Sequence, residues 1–134
     1  MRETVKIVIP MPPVAKGRPR FANGHAYTPA ETRGYEEAVQ IIAKSQIKNP
    51  FEGPLKMKIQ FYMPIPKGWT DAKKRAALER LVVPSVKPDI DNLCKAIMDA
   101  LNGGIGYNDD KQVVQLHIYK WYGTPRTEIE LEAI

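Results

Sequence analysis

The chain has 134 residues, 43% of them hydrophobic, a formal net charge of +5 and a pI near 9.3. Its length suits one domain over residues 1–134 with a real but small core, and no stretch approaches the roughly 18 consecutive apolar residues of a membrane span. The lone cysteine, Cys94, excludes an internal disulfide and, with an N-terminus that runs straight into strand-like sequence, points to a reducing cytoplasm.

Residues 4–9 read as a strand with Val5, Ile7 and Ile9 on one face. Pro10, Pro12 and Pro13 end it, and a loop rich in Pro, Gly and basic residues continues through Tyr27. Thr28-Pro29-Ala30-Glu31 reads as a capping box with Pro29 at the first helical position, opening a helix to about residue 47 with Tyr35, Ala38, Val39 and Ile42 as its apolar stripe. Residues 55–63 alternate, with Leu55, Met57, Ile59, Phe61 and Met63 on the buried side. Thr70 caps a short polar helix through about Leu81.

Ile90, Leu93, Cys94, Ile97, Met98 and Leu101 then mark the best-defined helix, which Asn102-Gly103-Gly104 terminates. Residues 112–122 and 126–133 read as strands that Gly123-Thr124-Pro125 joins as a hairpin. The order β-α-β-α-α-β-β predicts an α+β fold: a mixed sheet of about four strands with helices packed on it.

Five of the six aspartates fall between residues 89 and 110: Asp89, Asp91, Asp99, Asp109 and Asp110. Carboxylate oxygens are hard ligands suited to Mg²⁺ or Mn²⁺, and phosphodiester hydrolysis calls for a metal that activates water and stabilises phosphate charge. Asp91, Lys95 and Asp99 are spaced i, i+4 and i+8, so they share the helix side opposite the apolar stripe. Asp89 stands just before the helix, and Asp109 and Asp110 just before the next strand. A helix packed on that strand is expected to bring the two starts together. The competing reading is local: Asp89 or Asp91 as a cap, Lys95 as an ion-pair partner or solvated lysine, and Asn108-Asp109-Asp110 as a turn.

The run Lys87-Pro88-Asp89-Ile90-Asp91-Asn92-Leu93-Cys94-Lys95 through Asp99-Ala100-Leu101, followed by Asp109-Asp110-Lys111-Gln112-Val113, resembles the signature of the RusA family of Holliday junction resolvases. Lys16-Gly17-Arg18-Pro19-Arg20 and Tyr27-Thr28-Pro29 resemble the same family, so the likeness covers nearly the whole chain and is loosest over residues 64–86. It implies a RusA-like fold and a Mg²⁺-dependent homodimer, with Mn²⁺ able to substitute, that nicks opposed strands of branched DNA in recombination and repair. The implied metal ligands are Asp89, Asp91 and Asp110, and Lys95 is the implied catalytic lysine. Asp99 and Asp109 rank second.

Lys16, Arg18 and Arg20 alternate along the basic loop, and Arg matches phosphate bidentately. Ion pairs to Glu36 or Glu37 are the competing account, and the resemblance tips the choice to DNA contact. Lys73-Lys74-Arg75 offers two readings, a grip on DNA or a solvated helix face, and the second is preferred. His25 and His117 are too isolated to suggest zinc, and Cys94 reads as a buried hydrophobe. Tyr119, Trp121 and Tyr122 read as packing aromatics that could also stack on bases. A non-catalytic branched-DNA or single-strand-binding module would keep the basic loop but needs no aspartate cluster. A Mg²⁺-dependent nucleotide phosphotransferase lacks a phosphate-cradling glycine motif here.

Overall fold

The first period-two segment forms β1 (Thr4–Ile9), whose Ile7 and Ile9 are fully buried. In this computed structural model residues 3–18, 20–27 and 29–134 are described. The stretch read as loop through Tyr27 contains two short strands, β2 (Arg20–Ala22) and β3 (His25–Tyr27), paired antiparallel as a separate two-stranded ribbon. Their signal is Asn23-Gly24, whose φ angles of 52° and 77° supply the left-handed pair that a two-residue hairpin turn requires.

Helix α1 (Ala30–Gln46) starts one residue later than expected, with Pro29 at the cap position, and the Thr28 half of the expected capping box lies outside the described residues. Thr32, Tyr35, Val39 and Ala43 are its buried stripe, with Ala38 and Ile42 half-buried beside them. β4 (Leu55–Met63) keeps the predicted alternation. α2 (Asp71–Leu78) is capped by the Thr70 hydroxyl, which accepts from the Lys73 N–H. It stops short of Leu81 because Arg80 turns left-handed at φ 65°. Arg80 N–H then donates to the Ala77 carbonyl and Leu81 N–H to the Ala76 carbonyl, the pairing that closes a helix C-terminus.

α3 (Ile90–Leu101) buries Leu93, Cys94, Ala96, Ile97, Ala100 and Leu101. Ile90, placed on the apolar stripe from its spacing, is 38% exposed; the small residues Ala96 and Ala100 face the core instead. A 3₁₀ turn (Asp110–Gln112) leads into β5 (Val113–Tyr122), and β6 (Arg126–Ala133) closes the chain.

The main sheet has four strands in the order β1-β6-β4-β5. β6 runs antiparallel to β1 and β4, and β4 runs parallel to β5, so the sheet is mixed as predicted. The expected β5–β6 hairpin does not form. β4, apolar along one whole face, takes the interior position between them, and α2 and α3 provide the crossover that a parallel β4–β5 pair needs. The Gly123-Thr124-Pro125 link therefore passes over the end of β4. Gly123 N–H donates to the Met63 carbonyl at 3.0 Å, and a Cβ at Gly123 would stand 3.0 Å from the Tyr62 ring.

α1 and α3 pack on each other and on one face of this sheet, enclosing a core that includes Ile7, Leu55, Ile59, Phe61, Leu93, Ile97, Leu101 and Leu131. The opposite face is polar. In cross-strand register Lys6, Glu130 and Lys58 form one row, so Glu130 of β6 is flanked by a lysine on each neighbouring strand. No helix among the described residues is long and apolar enough to cross a membrane.

Candidate active site

Because α3 buries one side against the sheet, its other side is left to carry charge. Asp91, Lys95 and Asp99 follow one another there, as the spacing predicts. Together with Cys94, Met98, Asp110, Leu116 and Ile118 they line an open depression of about 290 Å³ between α3 and β5. Three of the five clustered aspartates thus share one hollow with a lysine.

The route by which Asp110 arrives differs from expectation. The short link from α3 to β5 makes the strand run back along the helix. The end of β5 meets the start of α3: Lys120 Nζ donates to the carbonyls of Val86 and Pro88, both at 2.8 Å. At the other end the Tyr107 hydroxyl donates to the Met98 carbonyl at 2.8 Å, close to Asp110. Burial, with the charges of Asp110, Cys94 and Asp99, raises the Tyr107 phenol above its ordinary value, so this hydroxyl stays a neutral donor.

Asp109 and Asp110 are adjacent but differ in role. The Asp109 carboxylate caps the 3₁₀ turn by accepting from Lys111 N–H at 2.9 Å, and the Gln112 side chain accepts from Asp109 N–H at 3.0 Å. Gln112 also donates to the carbonyls of Phe51 and Gly53, anchoring the turn to the segment before β4. The hydrogen bond from Lys111 N–H holds the Asp109 carboxyl below the usual carboxylate range. Asp109 is spent on local structure, which leaves Asp110 exposed at the hollow.

Asp89 occupies the N-cap position of α3, yet its side chain makes no cap hydrogen bond. Its backbone carbonyl begins the helix by accepting from Leu93 N–H at 3.1 Å, so the cap role offered as the local explanation is not used. Asp89 is exposed and does not line the hollow. Asp91 Oδ1 accepts from the adjacent Asn92 N–H at 2.9 Å.

Asp99 is engaged by cations. Lys16 Nζ stands 3.2 Å from Asp99 Oδ2 and 2.6 Å from Glu36 Oε1, with only 15% of its side chain exposed. Burial alone would pull the Lys16 ammonium down, but its bonds to Glu36 and Asp99 outweigh that and hold it above the usual lysine value. Lys16 N–H also donates to the Asn92 carbonyl at 2.9 Å, pinning the basic loop to the first turn of α3. Lys16 thus forms the ion pair to Glu36 that the competing account expected. Arg18 and Arg20 are exposed and make no ion pair among the described residues, and Pro19 between them lies outside those residues. Lys95 is 62% exposed and 3.9 Å from Asp99 Oδ2, a distance that leaves its ammonium largely solvated.

Among the described residues no group of three acidic, imidazole or thiol side chains stands close enough to hold a metal ion. The donors that share the hollow are Asp91 and Asp110, with Asp99 neutralised by Lys16. That set fits Mg²⁺, which is commonly held by one or two carboxylates while water and substrate phosphate complete its six positions. It does not fit a structural zinc site, since the neighbouring Cys94 is 5% exposed and burial, aided by the Asp91 charge, pushes its thiol up to about 11. Of the strand aromatics, Tyr122 is buried edge-on to Trp69, and Tyr119 stacks on Trp121 beneath Arg80.

Lys120 is the residue that sequence reasoning passed over. Its signal is phase: it falls in step with Leu116 and Ile118, and its Cα partner is Phe61, so a lysine stands on the helix-covered side of β5.

Comparison with known proteins identifies the family. The family model for endodeoxyribonuclease RusA matches residues 10–132. A Bacillus subtilis (strain 168) protein called YqaN is 36% identical over 140 residues, covering 98% of this chain and 98% of that protein. The crossover junction endodeoxyribonuclease RusA of Escherichia coli (strain K12) is 30% identical over 129 residues, covering 96% of this chain and 92% of that protein. The enzyme of the same name from Enterobacteria phage 82 has the same identity and coverage. With a match across the fold and across both aspartate segments, this chain belongs to the RusA endodeoxyribonuclease family.

Proposed function

We propose that this protein acts as one endonuclease domain, a divalent-metal-dependent homodimer that nicks opposed strands of four-way DNA junctions in recombination and repair. The observation that carries this reading is the shared hollow of Asp91, Asp99, Asp110 and Lys95 in a basic chain of that family. Asp89, Asp91 and Asp110 are the proposed metal ligands. Asp91 and Asp110 line the hollow, and Asp89 keeps a carboxylate that no cap consumes. When bound, Mg²⁺ or Mn²⁺ lowers the pKa of a water and offsets charge developing on the phosphate.

The chain's own residues do the rest. The solvated Lys95 ammonium provides a mobile positive charge beside the hollow, suited to a non-bridging phosphate oxygen. Arg18 and Arg20 provide exposed guanidinium forks for flanking phosphates, with Lys16 fixing the loop that carries them. Two-fold pairing suits a four-way junction, which offers two equivalent strands to two identical sites. A cytoplasmic location fits a DNA-acting enzyme with one free, buried cysteine.

A labelled four-way junction incubated with the protein tests this, beside linear duplex of matching sequence. Paired nicks in the junction with Mg²⁺, none with EDTA and little cutting of duplex are expected. Junction binding without cleavage in any divalent ion would reduce the protein to a binding module.

A further inference from the structure

No residue of the β2–β3 ribbon lines the aspartate hollow, and every residue from Arg20 to Tyr27 is exposed. Phe21 is 78% exposed, more than any other large apolar side chain among the described residues. An isolated two-stranded ribbon is marginal in water, and this one buries none of its own side chains. Its two faces differ. Phe21 lies across from Ala26 on one, while Arg20 lies across from the 44%-exposed Tyr27 and Ala22 across from His25 on the other.

Arg18 stands two residues before Arg20, and neither guanidinium has an ion-pair partner among the described residues. A ligand for this surface should therefore be anionic along its length and offer a flat π face. Nucleic acid has both properties, but continuous duplex hides its base faces in the stack. Base faces become accessible where stacking is interrupted, as at a strand exchange point. A two-stranded ribbon is also of a size that DNA grooves admit.

Resting on the reading of this protein as a junction nuclease, we propose that the β2–β3 ribbon reads the branch point. Phe21 stacks on an unstacked base, and Arg18 and Arg20 hold the adjoining phosphates. Stacking of a base on an aromatic ring tolerates any base, so the ribbon recognises branching and leaves sequence choice to other contacts.

The test uses full-length protein with Phe21→Ala, Phe21→Leu and Phe21→Trp. Affinity is measured for a four-way junction and for a duplex of equal length, with 2-aminopurine at the exchange point reporting stacking. Phe21→Ala should lose about tenfold on the junction, equivalent to about 1.4 kcal/mol, and less than twofold on duplex. Phe21→Trp should restore affinity and 2-aminopurine quenching, and Phe21→Leu should not. Thermal stability should be nearly unchanged, since the Phe21 side chain is largely exposed.

Wild-type affinity in Phe21→Ala would overturn the ribbon's role while leaving junction cleavage intact as a function. Full rescue by Phe21→Leu would overturn stacking in favour of a plain apolar contact. A changed sedimentation coefficient for Phe21→Ala would make the ribbon a contact between copies of the chain. A wild-type protein that neither prefers nor nicks junctions would remove both the function and the ribbon's role.

Discussion

Lys120 Nζ donates to the carbonyl of Pro88 at 2.8 Å, so the residue immediately before Asp89 is tied to β5. A second bond to the Val86 carbonyl, also 2.8 Å, makes the tie two-pronged. These bonds fix the segment that sets where α3 begins, and with it where Asp89 and Asp91 stand. Lys120 is thus a positioning residue for the proposed metal ligands. Lys120→Met keeps the aliphatic stem but removes both donors. It should raise the Mg²⁺ concentration for half-maximal cleavage by about tenfold, as loss of groups that support ligands commonly does. Mn²⁺ binding measured without DNA should weaken in parallel, and Lys120→Arg should recover part of both. A lowered Tm with unchanged Mn²⁺ binding would mark the lysine as purely structural.

Asp109 and Asp110 make a sharper pair, because adjacent residues of one type are assigned different work. Asp110→Asn removes a charge at the hollow and should abolish cleavage while junction binding persists, as should Asp91→Asn and Asp89→Asn. Asp109→Asn preserves a cap, since Asn serves at N-caps as well as Asp, and should leave cleavage near normal. Asp109→Ala should lower Tm by loosening the turn into β5. Comparable loss of activity in Asp109→Asn and Asp110→Asn would show that the capping geometry does not separate them.

The hard-oxygen donor set suits the proposed Mg²⁺ or Mn²⁺. Cleavage should appear with Mg²⁺ or Mn²⁺ and vanish with EDTA, while Ca²⁺ should support binding alone because it accepts a looser, higher-coordinate geometry. Full activity in EDTA would end the metal reading.

Much of this architecture could be read from periodicity, and the exceptions share a cause. β4, α3 and β6 announce themselves because one face of each meets the core, so burial writes its period into the sequence. Strand adjacency is not written that way. β5 and β6 are close in sequence, yet β4 lies between them, a choice settled by which strand gains from neighbours on both sides. The Asn23-Gly24 turn was visible, but its flanks lack the buried alternation that normally calls attention to a hairpin. Helix spacing placed Asp91, Lys95 and Asp99 together. It could not say that Asp99 would be claimed by Lys16, far upstream in the chain, or that β5 would run back along α3 and bring Lys120 to Pro88.

The division within the basic loop allows a measurement that separates DNA binding from internal structure. Arg18 and Arg20 are exposed without ion pairs among the described residues, whereas Lys16 is held between Glu36 and Asp99. Removing a side chain that neutralises one phosphate should lower the slope of log K against log salt by about 0.9 on duplex-like arms. Arg18→Ala with Arg20→Ala should therefore flatten that slope by nearly two, at unchanged Tm. Lys16→Ala should leave the slope almost as in wild type. It should instead destabilise the fold by about 1–3 kcal/mol, because two carboxylates are deprived of the ammonium that bonds them. Lys16→Arg should restore part of that stability. Titrating one labelled junction at several salt concentrations, beside thermal melts of the same proteins, decides the matter. A slope that falls with Lys16→Ala and not with the arginine pair would reverse the assignment, placing the phosphate grip on Lys16 and a structural role on the arginines.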